Sequence, residues 1–200
     1  MNITQQEVTL QQNRTQEHLM RAFIELIKEK GYHVVTVKDI VNRAHYNRST
    51  FYLHFQDKVE LAERLLQAML QGLENSVGKP YVHGQKVFTT QLNFPSFNIL
   101  TYIYEHRQFF ELIKYPDTLP GLHTQFPLAI TNIYNEKFIF KTLNNTPVNM
   151  TYFKRYTSYG FYGLIMNWIS TGFDTPLDEF IHEVIELSKT HIHSFEFIGK

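Results

Sequence analysis

The 200-residue sequence predicts an all-α protein of about nine helices. We expect an N-terminal three-helix helix-turn-helix domain followed by a C-terminal helical bundle domain. Apolar residues recur three and four positions apart over several segments, which is the spacing of one face of an α-helix. Capping residues stand where these segments begin, and no alternating pattern of a β-strand competes with them.

The first helix is predicted over residues 15–30, where the apolar side chains share one face. Gly31 ends it, because glycine readily takes the left-handed conformation that closes a helix. Thr36 and Asp39 then have the three-residue spacing of a capping box. We therefore expect a second helix to begin there and to run for about two turns.

A third short helix is predicted after a break at His45 and Tyr46. Asn47 is a favourable N-cap, because its side chain can accept a hydrogen bond from the first turn. The helix continues to about residue 55. Together the three helices make the helix-turn-helix domain that we assign to residues 1–58.

A long helix over residues 58–77 is predicted to join the two domains. Asp57 and Glu60 form a second capping box at its start. It ends at residues 78–80, where glycine and proline interrupt the helical pattern. The second domain is then assigned to residues 59–200, so it includes almost all of this linking helix.

The second domain also has helical periodicity, broken by turns that contain proline and glycine. Thr175, Pro176 and Asp178 mark the beginning of the last helix as an N-cap, a proline in the first turn and an acidic residue. The predicted helices of this domain are 95–107, a short one before 115, 127–143, 148–171 and 176–195.

Composition limits the functions that are possible. With no cysteine, the chain has no disulfide, thiolate nucleophile or cysteine-ligated zinc. No apolar run is long enough to cross a membrane and no signal peptide is evident, so we expect a cytoplasmic protein without a membrane partner. The 19 basic and 19 acidic residues cancel, and any nucleic-acid surface must be a local patch.

The third helix carries a dense set of polar side chains. Arg48, Ser49, Tyr52 and His54 offer a guanidinium, a hydroxyl, a phenol and an imidazole around one short helix. These groups are suited to contacts with phosphates and base edges. On helix lengths alone, an ordinary helical bundle explains the segment equally well, but the residue types favour DNA binding.

The N-terminal segment resembles the TetR family of bacterial regulators, in a variant typical of Gram-positive bacteria. The resemblance covers about residues 14–61. The residues that match the family pattern in register are Ala22, Phe23, Gly31, Tyr32, Thr36, Val37, Ile40, Ala44, Thr50, Phe51, Tyr52, Phe55, Lys58 and Leu61. His45 replaces the glycine of the family's turn, Tyr46 the following valine and Ser49 a glycine of the third helix. His45 can still adopt a left-handed turn, although less easily than glycine.

The resemblance implies that the start of the second helix and the third helix contact double-stranded DNA. Carried over by position, the contact residues are Thr36, Val37, Tyr46, Asn47, Arg48, Ser49, Tyr52, His54 and Lys58. Arg48 would contact a base edge or a phosphate, and Tyr52 and Lys58 would contact phosphates. Thr36 has the alternative role of an N-cap alone. The apolar residues between them (Ile40, Val41, Phe51 and Phe55) belong to the core.

The resemblance further implies a homodimer formed by the last two helices. The predicted helix 148–171 is apolar nearly all round, so it must be buried on more than one side. Its glycines suggest a close approach of another helix, since glycine weakens a helix by about 1 kcal/mol relative to alanine. The predicted interface residues are Phe153, Tyr156, Gly160, Gly163, Leu164, Trp168, Phe180 and Val184. A large core within one subunit is the alternative.

An effector pocket for a small apolar molecule is implied for the same domain. Aromatic side chains in its first half would line this pocket or simply fill the core. The candidates are Tyr102, Phe109, Phe110, Phe126, Tyr134 and Phe138.

The expected function is a repressor that binds a palindromic operator as a homodimer and is released by an effector. The alternative is a module of the same fold that binds a ligand or protein and reads no DNA, which the small N-terminal charge favours. No catalytic residue, metal site or cofactor is predicted. His182 and Glu183 begin a zinc-protease-like motif that lacks its second histidine, and His191 and His193 are two positions apart, which does not align them on a helix.

Overall fold

The computed structural model describes the backbone of residues 2–199 and the side chains of residues 13–199. Within that range the chain forms nine α-helices and three short β-strands. The helices are α1 (Asn2–Lys30), α2 (Val37–Arg43), α3 (Arg48–Tyr52), α4 (Lys58–Gly78), α5 (Asn98–Glu105), α6 (Arg107–Phe110), α7 (Leu122–Lys137), α8 (Met150–Ser170) and α9 (Leu177–Lys189). The strands are β1 (Lys86–Phe88), β2 (Phe138–Thr142) and β3 (Ile192–Phe197). The predicted all-α class with about nine helices is confirmed, and the small three-stranded sheet is an addition that the sequence did not predict.

The chain divides into two compact units. The first contains residues Met1–Met69 and Leu112–Leu122, and the second contains Leu70–Glu111 and His123–Lys200. The first unit therefore includes the helix-turn-helix segment together with a short segment from later in the chain. The division of function near residue 58 stays a prediction.

The first unit is built around α1 to α4, whose apolar faces bury Phe23, Ile27, Ile40 and Phe51 almost completely. Burial of each large apolar side chain contributes roughly 1.5–3 kcal/mol. The helix α1 begins thirteen residues before the predicted start at residue 15 and ends at the predicted position, next to Gly31 with φ 84°.

The second unit contains the helices α5 to α9 and a three-stranded sheet. The helix α7 begins at Leu122, five residues before the predicted start at Pro127, and Pro127 lies within it. The prediction that helices continue to residues 143 and 195 is wrong, because α7 and α9 end at Lys137 and Lys189 and strands follow.

The sheet has the order β1-β3-β2, with both pairs antiparallel. In β2, buried and exposed residues alternate from Phe138 to Thr142, which is the pattern of a half-buried strand. Phe138 lies opposite Phe197, and Phe140 opposite Phe195. These cross-strand aromatic pairs stabilise the sheet and override the weaker continuation of the helical pattern.

No helix within residues 2–199 combines the length and the sustained apolar character needed to span a bilayer.

Candidate nucleic-acid interface

The helices α2 and α3 are joined by a tight turn at residues 44–46. His45 adopts φ 59°, the left-handed conformation that the sequence required of this position. The Tyr46 N–H donates to the Val41 carbonyl at 2.8 Å, which closes the turn against α2. The backbone thus forms a helix-turn-helix at the predicted place.

The cap of α3 organises two of the predicted contact residues. The Asn47 side-chain oxygen accepts hydrogen bonds from the Thr50 N–H at 2.8 Å and from the Ser49 hydroxyl at 2.6 Å. The Thr50 hydroxyl also donates to the same oxygen, at 2.9 Å. The predicted N-cap is confirmed, and it leaves the amide group of Asn47 as the part of that side chain able to donate to DNA.

The outer face of α3 is polar and accessible. Arg48 and Ser49 are exposed, and Tyr52 is 57% exposed, whereas Phe51 between them is fully buried. Within residues 13–199, the Arg48 guanidinium has no hydrogen-bond or ion-pair partner. A charge held on a rigid helix and left unpaired is available to a base edge or a phosphate.

Two predicted contact residues are held by α1. The Tyr46 hydroxyl lies 3.0 Å from His18 Nδ1, and the two rings stack at 6.1 Å. His54 Nδ1 lies 3.5 Å from Gln16 Nε2. The contacts of His18 and Gln16 were not predictable from the sequence, because nothing in the local pattern of α1 identifies which of its polar residues face the turn.

Thr36 serves as the N-cap of α2. Its side chain and the Asp39 side chain form the predicted capping box, and Lys30 pairs with Asp39 at 2.8 Å. The Lys30 ammonium and then the Thr36 hydroxyl and N–H hold the pKa of Asp39 well below its usual range. Thr36 is exposed and Val37 is half-buried, so the start of α2 is accessible at the surface.

The Lys58 ammonium points back into the first unit. It donates to the carbonyl oxygens of Tyr32 at 2.9 Å and His33 at 3.3 Å, and it lies 4.4 Å from the centre of the Tyr32 ring. Burial lowers the pKa of Lys58, and nearby Asp117 partly opposes this effect. The other predicted cation of the interface, Arg48, has no such engagement.

Two basic side chains near the interface, those of Arg43 and Lys30, are neutralised by acidic neighbours. Arg43 pairs with Glu29 at 2.7 Å and with Glu25 at 3.2 Å. Since Lys30 pairs with Asp39, the exposed Lys38 and Arg48 carry the accessible positive charge of the α2–α3 segment. This small charge agrees with the near-neutral balance of the first 60 residues.

The predicted dimer residues divide into a surface group and a core group. Tyr156 is 72% exposed, and the positions of Gly160 and Gly163 face open space. Phe153 and Leu164 are half-buried. They lie on the face of α8 that also exposes Tyr152 and Tyr159.

Trp168, Phe180 and Val184 lie instead in the core of their own unit. The rings of Trp168 and Phe180 stack with centres 4.4 Å apart, and each of the three side chains is at most 9% exposed. Their role in a subunit interface stays a prediction that a single subunit does not test. Within the subunit they are buried, because a helix that is apolar nearly all round must give one face to its own core. The sequence alone could not say which face that would be.

A surface groove of about 780 Å³ lies between α8 and α9. Tyr156, Gly160 and Leu187 line it, together with Thr157 and His191. The Thr157 hydroxyl oxygen and His191 Nε2 are buried atoms that lack a hydrogen-bond partner among the described residues. Unpaired buried polar atoms are costly, so a partner that reaches them would gain affinity.

The second unit also holds an apolar cavity of about 60 Å³ between its sheet and helices. Tyr134 and Phe138, two of the six predicted pocket residues, line it. The other four lie elsewhere: Phe109, Phe110 and Phe126 are buried core, and Tyr102 packs its ring against Gly72. The sequence missed the contribution of β3 to the lining, because that strand was predicted as helix.

The polar groups of this cavity are hydroxyls. Burial raises the pKa of Tyr81 to about 12, although its hydroxyl donates to the Ser96 carbonyl at 3.0 Å. Burial also raises the pKa of Tyr134. Both phenols are therefore neutral at physiological pH, and none of the residues that line the cavity is charged.

Two family models match this sequence. The model for the bacterial regulatory proteins of the tetR family matches residues 19–65, and a model for a transcriptional regulator C-terminal region matches residues 96–190. The first match covers the helix-turn-helix, and the second covers most of the second unit.

Similar proteins, by sequence and by structure, are also described as regulators or activators of transcription. YxbF, an HTH-type transcriptional regulator of Bacillus subtilis (strain 168), is 20% identical over 151 residues, which cover 74% of this chain and 38% of YxbF. DhaS, the HTH-type dhaKLM operon transcriptional activator of Lactococcus lactis subsp. lactis (strain IL1403), is 27% identical over 103 residues, which cover 43% of this chain and 55% of DhaS. The match to this chain thus spans 38% to 55% of the length of these curated relatives. A transcriptional regulator from Aquifex aeolicus VF5 has a similar fold, with a TM-score of 0.59 and 16% identity over 88% of this chain and 98% of that one.

Proposed function

The chain belongs to the TetR family of DNA-binding transcriptional regulators, and on that premise we propose that its homodimer represses transcription by binding a roughly palindromic operator. Each subunit would place α3 in the major groove, one helical turn from its partner's α3. This function places the protein in the cytoplasm, with the DNA.

The observation that carries the proposal is the outer face of α3. Arg48 extends from the first turn without a partner among the described side chains, and Tyr52 is exposed one turn later. Buried Phe51 fixes the helix to the core from the opposite side, so the contact side chains stand on a rigid support. With few free cations nearby, the fit of α3 to base edges must supply much of the affinity.

The proposed dimer uses the exposed face of α8 and the neighbouring surface of α9. Tyr152, Tyr156 and Tyr159 are each more than half exposed, and Leu187 of α9 is 45% exposed. Exposed aromatic groups beside two helical glycines form a surface that a second helix can approach closely. A two-fold axis would pack this surface against its own copy, and partner groups could reach the unpaired atoms of the groove.

The proposed effector is a neutral, apolar small molecule bound in the cavity of the second unit. The uncharged lining supports this class. The volume of about 60 Å³ is less than half of an engineered cavity of about 150 Å³ that binds benzene. Side chains of the lining must therefore move to admit an effector.

Activation of transcription is the second candidate, because the relative DhaS is described as an operon activator. A repressor and an activator would both need the same DNA-binding helix and the same dimer. A promoter-reporter assay with and without the protein distinguishes them: the level of transcript falls for a repressor and rises for an activator.

The proposal is tested by selecting duplexes from a random library with the purified protein. The expected result is enrichment of a palindromic site, which then binds one dimer per duplex. Recovery of no enriched sequence, with no binding to any duplex at low salt, would refute it and favour a module that has lost DNA recognition.

A further inference from the structure

The loop between α1 and α2 is held by two residues from distant parts of the chain. The N–H groups of Tyr32 and His33 donate to Asp117: Tyr32 to its carbonyl at 3.0 Å, and His33 to its carboxylate at 3.1 Å. The carbonyl oxygens of the same two residues accept from the Lys58 ammonium. All four backbone polar groups of this two-residue loop are therefore bound within the first unit.

Gly31 makes the approach of Asp117 possible. A β-carbon at residue 31 would overlap the Asp117 carboxylate, with only 2.9 Å to its Cγ. The residue also has φ 84°, which glycine adopts without strain. The glycine that ends α1 is thus required twice, by the turn and by the neighbouring carboxylate.

Asp117 and Lys58, the two residues that hold the loop, carry opposite charges. Burial opposes ionisation of Asp117, but hydrogen bonds from the His33 side chain and N–H outweigh it and lower the pKa of Asp117. The carboxylate therefore stays ionised, and it lies near enough to influence the pKa of Lys58. Charge-assisted hydrogen bonds of this kind are stronger than neutral ones.

The positions of these residues connect them to DNA binding. The loop leads directly to Thr36, the N-cap of α2, and Lys58 is the first residue of α4. Asp117 comes from the segment Leu112–Leu122, which belongs to the first unit although the residues on both sides of it belong to the second. Three separate parts of the chain thus meet at one loop.

We propose that Asp117 and Lys58 form a clamp on the Tyr32–His33 loop that positions α2 and α4, and with them α3, for operator binding. Lys58 is then a positioning residue and makes no phosphate contact. The placement of the Leu112–Leu122 segment becomes a determinant of operator affinity. This inference rests on the proposed DNA binding for its effect on affinity, but the clamp itself can be tested without DNA.

The first test measures amide hydrogen exchange at Tyr32 and His33 in the free protein. Asp117→Ala is expected to raise exchange at His33 at least about tenfold, because it removes a charged acceptor. Asp117→Asn keeps an acceptor and is expected to give a smaller increase. Glu63→Ala, which removes an exposed carboxylate of α4, serves as the control and should leave both amides unchanged. Unchanged exchange at His33 in both Asp117 variants would overturn the clamp.

The second test uses the duplex enriched from the random library. Asp117→Asn removes a negative charge, so simple electrostatics predicts tighter binding, whereas the clamp predicts weaker binding, with a larger loss of affinity for Asp117→Ala. Glu63→Gln makes the same change of charge outside the clamp and should not weaken binding. Tighter binding by Asp117→Asn, equal to that of Glu63→Gln, would overturn the effect on affinity.

Lys58→Met distinguishes positioning from phosphate contact. The clamp predicts weaker binding with the same salt dependence as the unaltered protein. A slope of log K against log salt that falls by about 0.9 for each contact would instead identify Lys58 as a phosphate ligand. If the unaltered protein binds no duplex, the proposed function fails, while the exchange experiment still decides whether the clamp exists.

Discussion

Substitution of Gly160 by glutamine should have opposite effects on the subunit and on the dimer. No atom lies within 4 Å of the position where a β-carbon would stand, so the subunit has room for the new side chain. Glycine is less favourable than most residues within a helix, by roughly 0.5–1 kcal/mol. The isolated subunit should therefore become slightly more stable to unfolding.

The dimer should become weaker, because the face of α8 that holds Gly160 would lie against the partner. Forcing an extra side chain into a packed interface costs about 1–3 kcal/mol, and a symmetric dimer carries two copies. The combined cost is about 2–6 kcal/mol, which weakens dimerisation by at least roughly thirtyfold. Gly160→Ala should dimerise more weakly than the unaltered protein but more tightly than Gly160→Gln.

Sedimentation velocity over a dilution series measures the dimer, and urea unfolding measures the subunit. Ala68→Gln places a glutamine on the exposed side of α4 and serves as the control, with dimerisation unchanged. The reasoning is refuted if Gly160→Gln dimerises as tightly as the unaltered protein, because that face of α8 would then lie outside the interface.

Three further outcomes follow from local geometry. Asn47→Ala removes the N-cap of α3, so the free energy of unfolding in urea should fall by about 1 kcal/mol, and an unchanged value would contradict the role of this cap. Gly72→Ala places a β-carbon about 2.6 Å from Tyr102 Cζ and should cost about 1–3 kcal/mol in thermal unfolding, with recovery expected when Tyr102→Ala is added. Lys30 holds the pKa of Asp39 low, so the ionised carboxylate stabilises the fold above the ordinary aspartate pKa, and this stability is lost as the pH falls through the folded-state pKa. In Asp39→Asn, acid unfolding followed by circular dichroism should lack the pH dependence that comes from this carboxylate.

Features that depend on short spacings were predictable from the sequence. The capping box of Thr36 and the cap at Asn47 each follow from the chemistry of a few neighbouring residues. The left-handed turn at His45 was expected from the family resemblance, because His45 stands at the position of the family's turn glycine. A helix-turn-helix depends almost wholly on such local signals. Its position could therefore be predicted before the packing of the rest of the chain was known.

Features that depend on long-range contacts were not predictable. The residues of β2 and β3 pair across 50 to 59 positions of sequence, and Phe138 continues an apolar helical pattern as well as it begins a strand. Asp117 lies 84 positions from His33, and nothing near it in sequence indicates a role at the helix-turn-helix. The burial of Trp168 likewise depends on which face of α8 packs inward.

The central claim is that α3 reads the operator through Arg48. Fluorescence anisotropy with the enriched duplex and a scrambled duplex, over a series of salt concentrations, tests it directly. Arg48→Ala should weaken operator binding at least about tenfold and reduce the preference over the scrambled duplex, whereas Arg64→Ala, which removes a cation paired with Glu60 on α4, should preserve both. Operator affinity and preference that are unchanged in Arg48→Ala would contradict the claim.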